Sequence, residues 1–135
     1  RHNVLFPLMK WLELQRRSRE VSISEEVMAM IREDYDKDLT IELCASRLNF
    51  HANYISRVFK KEMGTTFSNV LSQYRMDVAK RWLLETDMKI AEIAERLRYN
   101  HTSNFIRQFK KSEGMTPNQY RDRQSMPDSR ARSWM

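Results

Sequence analysis

Apolar side chains recur along this chain at helical spacing, in four short groups that form two matched pairs. Ile41, Ala45 and Leu48 fall at i, i+4 and i+7, and Ile55 and Phe59 follow at i and i+4. Ile90, Ala94 and Leu97, then Phe105 and Phe109, repeat the arrangement. That period predicts two short amphipathic helices in each copy. The stretches between them, Asn49-Phe50 and Arg98-Tyr99-Asn100, leave connections of only about three or four residues, the length of a helix-turn-helix. Asn49 suits such a turn because Asn accepts a positive φ more readily than most residues.

Residues 66–85 carry Phe67, Leu71, Tyr74, Val78, Trp82 and Leu83 without Gly or Pro, which predicts one long connector helix capped by Thr66. Two further helices are expected. One runs from about Ser24 to Asp36 behind the capping box Ser22-x-x-Glu25; the other follows Thr116-Pro117, with Gln119 three residues past the cap. No run has the alternation and β-branched content of a strand. The expected fold is all-α, with about seven helices and two helix-turn-helix units joined by the connector.

Laying Asp38–Gly64 over Asp87–Gly114, with one extra residue at Asn100, gives eleven identities over 27 positions. They include Arg47/Arg96, His51/His101, Arg57/Arg107, Lys60/Lys110, Lys61/Lys111 and Gly64/Gly114. Two copies are too few for a solenoid, so a paired module is the better reading. Twenty helical residues span ~30 Å, close to the ~34 Å between successive major-groove entries on one face of B-DNA.

Composition narrows the chemistry. With two glycines fifty residues apart, no phosphate-cradling GxGxxG or GxxxxGK[ST] loop can be written, and one cysteine with three histidines offers no multi-cysteine zinc site and no HExxH. No cofactor and no metal are expected, and no nucleophile-base or carboxylate pair stands at a persuasive spacing for an enzyme. The 135 residues carry 24 Lys+Arg against 18 Asp+Glu, a net charge of +6, which favours an anionic partner. The charge is uneven: residues 24–38 hold six acids and two bases, whereas 47–64 hold four bases and one acid and 98–121 five bases and one acid. Without a run of ~20 apolar residues or an opening signal segment, a soluble cytoplasmic piece with no membrane contact is expected. Its start at Arg1 suggests a part of something longer.

If Ile55 and Phe59 point inward, the 100° step turns Asn53, Arg57 and Lys60 outward, flanked by Ser56 and Lys61. Ser103, Arg107 and Lys110 take that arc in the second copy, flanked by Ile106 and Lys111. Arg can grip guanine O6 and N7 with two bonds, Asn can do the same for adenine, and Ile can touch a thymine methyl. The base-reading candidates on this face are Asn53, Ser56, Arg57, Ser103, Ile106 and Arg107, with Asn104 taken as an assisting residue beside them. Lys60, Lys61, Lys110 and Lys111, with Thr40, His51, Lys89, His101 and Arg121, are the phosphate candidates, which set docking without reading sequence.

Residues Ser24 to Arg123 resemble the AraC/XylS class of bacterial transcription regulators. The resemblance is carried by Leu48-Asn49-Phe50 with Tyr54-Ile55-Ser56-Arg57-Val58-Phe59-Lys60-Lys61, and by Ile90-x-x-Ile93-Ala94. It is strongest in Phe105-x-Arg107-x-Phe109-Lys110-Lys111-x-x-Gly114-x-Thr116-Pro117-x-x-Tyr120-Arg121. It implies a seven-helix domain that inserts two second helices into adjacent major grooves of double-stranded DNA, and an activator that contacts RNA polymerase. It also implies an upstream sensory or receiver domain, through which a homodimer could form. Three positions depart from the pattern: Arg98 where the second turn normally has Gly, His51 in place of a small cap, and Asn104 in place of an aromatic residue. A non-Gly residue at positive φ costs on the order of 1 kcal/mol.

The domain organisation expected from these signals is an N-terminal segment 1–22, a double helix-turn-helix domain 23–124 and a tail 125–135. Val4, Leu5, Leu8, Trp11 and Leu12 form an apolar stripe in the first segment, read either as a linker or dimerising helix or as a helix folding back on the domain. Cys44 lies on the inward stripe and is read as core filler, since a reactive thiol needs access and a neighbouring base. Trp82 is read as core. The alternative to DNA binding is a helical protein-interaction module using the Trp11 stripe or the acid-rich 24–38 helix.

Overall fold

The computed structural model describes residues 2–125, with side chains from 8 to 123. Among these residues there are seven helices and no strand: α1 His2–Asp34, α2 Ile41–Leu48, α3 Ala52–Met63, α4 Phe67–Glu85, α5 Ile90–Arg96, α6 Thr102–Glu113 and α7 Pro117–Ser125. None is long and apolar enough to cross a membrane. The side chains of Val4 and Leu5 and the tail 126–135 lie outside the described residues.

Two compact units result. The first holds α1 to α3 and the start of α4; the second holds the remainder of α4, α5 to α7, and the segment Tyr35–Asp38. In the first, Ile23, Val27 and Ile31 of α1 are buried together with Cys44 and Ala45 of α2, Ile55, Val58 and Phe59 of α3, and Phe67 and Leu71. The Phe59 and Phe67 rings meet edge-on at 6.1 Å. In the second, Met76, Val78, Ala79 and Leu83 of α4 close over Ile93, Ala94, Leu97, Phe105 and Phe109, with Trp82 and Tyr120 packed at the margin. Cys44 is fully buried, and burial pushes its thiol up from the ordinary value, as core filler requires.

The expected start of a helix at Ser22 is corrected: α1 runs unbroken through it for 33 residues. A capping box acts on free N–H groups, and when residues 18–21 are already helical each of these donors has a carbonyl four residues back. No Gly or Pro between Leu8 and Asp34 interrupts that ladder. The later caps hold. Thr66 Oγ1 accepts from Asn69 N at 3.2 Å. Thr116 Oγ1 accepts from Gln119 N at 3.2 Å while Gln119 Oε1 accepts from Thr116 N at 2.9 Å, a closed capping box.

Both helix-turn-helix turns use the same backbone bonds. Phe50 N donates to Ala45 O and Asn49 N to Ser46 O; Tyr99 N donates to Ala94 O and Arg98 N to Glu95 O. This is the Schellman pattern, which needs a left-handed residue just past the helix. Asn49 and Arg98 supply it, at φ 61° and 68°. The first turn leaves residues 49–51 between helices, as expected, but the second leaves 97–101, because α5 closes at Arg96 and Asn100 is inserted.

Candidate nucleic-acid interface

The second helix of each helix-turn-helix buries one stripe and exposes the rest. In α3, Ile55, Val58 and Phe59 are buried, while Asn53, Ser56, Arg57, Lys60 and Lys61 are exposed. In α6, Phe105 and Phe109 are buried and Ser103, Arg107, Lys110 and Lys111 exposed. Ile106 and Asn104 are half-buried, and the Ile106 side chain packs in part on the core of its unit.

The two arginines are held differently. The Arg57 guanidinium carbon stands 5.5 Å from the centre of the Tyr54 ring, a cation-π contact of ~0.5–1 kcal/mol at an exposed site. Arg107 donates from Nη2 to Asn104 Oδ1. Tyr54 also stacks on the exposed Phe50, ring centres 5.3 Å apart. Tyr99, at the matching place in the second unit, turns inward onto Phe105 at 5.3 Å, and burial raises its hydroxyl pKa.

The phosphate candidates separate into free and engaged groups. Lys60, Lys110 and Lys111 are exposed and, among the described residues, make no ion pair. Lys61 Nζ instead donates to Glu20 Oε1 at 2.8 Å, a bond that joins α3 to α1. That hydrogen bond holds the Glu20 carboxyl below the ordinary carboxylate range, against the opposing effect of its burial. His51, His101 and Lys89 sit at the N-caps of α3, α6 and α5 without a side-chain cap bond. Thr40 caps α2, its Oγ1 accepting from Leu43 N at 3.1 Å, which leaves the hydroxyl hydrogen available.

Arg121, a further phosphate candidate, is half-buried and bonded to backbone. Its Nε donates to Leu83 O at 3.0 Å and its Nη2 to Thr86 O at 3.2 Å, so the guanidinium satisfies carbonyls left open at the end of α4. Arg75 does the same for Tyr35 O at 2.8 Å and Lys37 O at 3.0 Å. Sequence reasoning missed Tyr54 as the support for Arg57, although the i, i+3 spacing is a usable signal. It also missed Glu20, forty-one residues from Lys61, for which the sequence carries no signal.

Residues 44–123 match a family model described as a helix-turn-helix domain. The chain is similar to YtdP of Bacillus subtilis, an uncharacterised helix-turn-helix-type transcriptional regulator, at 48% identity over 74% of this chain and 13% of that protein. Among solved structures it is similar to the C-terminal domain of AraT, a response regulator from Geobacillus stearothermophilus. The two share 40% identity with a TM-score of 0.71, over 74% of this chain and 84% of that one. The C-terminal domain of the two-component response regulator YesN from Fusobacterium nucleatum gives 39% identity and a TM-score of 0.68, over 72% of this chain and 95% of that one. The chain spans 13%, 39% and 44% of the lengths of three curated relatives that it matches. YtdP is described as a transcriptional regulator, and AraT and YesN as response regulators.

Proposed function

The chain belongs to the helix-turn-helix family of bacterial transcriptional regulators, and we propose that it binds double-stranded DNA in a sequence-specific manner. In this reading it is an AraC/XylS-type module whose helices α3 and α6 enter adjacent major grooves. Arg57 and Arg107 read bases, with Asn53, Ser56, Ser103 and Ile106 assisting, and Lys60, Lys110 and Lys111 neutralise phosphates.

One observation carries the proposal: both second helices expose an arginine, three residues before a Lys-Lys pair, on the face opposite their buried phenylalanine. A merely solvated helix end gives no reason for that face to appear twice at matched positions. The N-terminal part of α1 supports a further element of the reading. Residues 8–19 are exposed throughout, with Leu8, Trp11 and Leu12 at half their surface or more, which favours a linker or dimerising segment over a helix folded back on the domain. Activation through RNA polymerase and an upstream input domain follow from the AraC/XylS resemblance and rest on it.

The test is a salt titration of binding to random duplex. Phosphate contacts make log K fall linearly with log salt, at a slope of about −0.9 per contact. A steep slope is expected; affinity independent of salt would favour the protein-interaction alternative.

A further inference from the structure

Each reading arginine is held by the residue three positions before it, and the two holders differ in chemistry. Tyr54 offers Arg57 a ring face; Asn104 offers Arg107 an amide oxygen. We propose that Tyr54 and Asn104 are positioning residues that set which N–H donors each arginine presents, so that the two units differ in base preference. The inference rests on the DNA-binding reading above.

A ring contact consumes no hydrogen bond, so Arg57 keeps all five donors of its guanidinium. Both two-donor edges, Nε with Nη2 and Nη1 with Nη2, stay open to guanine O6 and N7. Arg107 has one Nη2 hydrogen committed to Asn104. Both edges share Nη2, so one two-donor edge is left, aimed in a single direction. Arginine has no acceptor, so the same bond fixes the amide: Oδ1 faces Arg107 and the Nδ2 hydrogens face away. Bidentate reading of adenine needs the amide oxygen and nitrogen turned to the same base. Asn104 so held keeps a second Oδ1 lone pair, but its amide plane is set by the bond to Arg107, and it acts on specificity through that arginine. The second unit should therefore demand guanine in one orientation, more strictly than the first.

The experiment uses the full chain, duplexes it selects from a random pool, and single-base variants of those duplexes. Asn104→Ala should lower discrimination about five-fold at the same base pair that Arg107→Ala affects, and the double variant should be no worse than Arg107→Ala alone. Asn104→Asp keeps an oxygen toward Arg107 and should retain the discrimination while binding every duplex more weakly. Tyr54→Ala should relax the base pair read by Arg57, and Tyr54→Phe should restore it. If Asn104→Ala relaxes a separate A·T pair, with effects that add to those of Arg107→Ala, Asn104 reads a base itself and the proposal falls. Unchanged discrimination in Asn104→Ala also overturns it. A wild-type chain that prefers no duplex would instead remove the DNA-binding reading, and this inference with it.

Discussion

The two helix-turn-helix units reach the same backbone by different residues. Asn49 takes the left-handed position in the first turn, where its side chain is tolerated; Arg98 takes it in the second, with its guanidinium 3.3 Å from Asp38. Lys61 of the first unit is tied to Glu20, whereas Lys111 at the matching position makes no ion pair among the described residues. In the second unit the bond to the preceding long helix has the opposite polarity, Lys80 of α4 to Glu113 of α6 at 3.4 Å. The fold thus tolerates exchange of the groups that brace the second helix of each unit, while the buried aromatic and the outward arginine recur.

The sharpest way to break that comparison is through the matched core phenylalanines, both fully buried. Phe59→Ala and Phe109→Ala should each cost ~3–5 kcal/mol in denaturant unfolding. Amide exchange should accelerate first in α1 to α3 for Phe59→Ala and first in α5 to α7 for Phe109→Ala; equal acceleration everywhere would erase the division into units. Next come the turns. Arg98→Gly relieves a left-handed non-glycine residue but loses an exposed ion pair, and should stabilise by up to about 1 kcal/mol. Asn49→Gly should change thermal stability less, and equal changes would mean that the two turns bear the same strain.

The braces give smaller effects. Glu20→Gln should lower stability by about 0.5 kcal/mol at neutral pH. Because the Lys61 hydrogen bond lowers the Glu20 pKa, this contribution is present above the ordinary carboxylate range and is lost as pH falls through the lowered value. Wild type and Glu20→Gln should therefore converge in acid, and a constant gap would contradict the assignment. Lys111→Ala should reduce the salt slope of duplex binding by about one. Lys61→Ala, whose ammonium is engaged, should reduce it less.

Much of this was legible in the sequence because local rules decide it. The α4 boundaries, the Thr66 and Thr116 caps, the left-handed Asn49 and the exposed faces of α3 and α6 all follow from period and cap chemistry within a few residues. What escaped depends on distant partners. Ser22 has the form of a helix start, and only the helical turn before it removes that role. Arg121 looks like a surface cation until the carbonyls of Leu83 and Thr86, more than thirty residues away, are folded beneath it. The Glu20–Lys61 bond is of the same kind.

The central claim is that two arginine-bearing helices read DNA as a pair. Selection of bound duplexes from a random pool tests it most directly. Two short motifs about one helical turn apart are expected, with Arg57→Ala erasing one motif and Arg107→Ala the other, each at ~1–3 kcal/mol on the intact site. A single motif, or a uniform loss on every sequence after either substitution, would contradict the account.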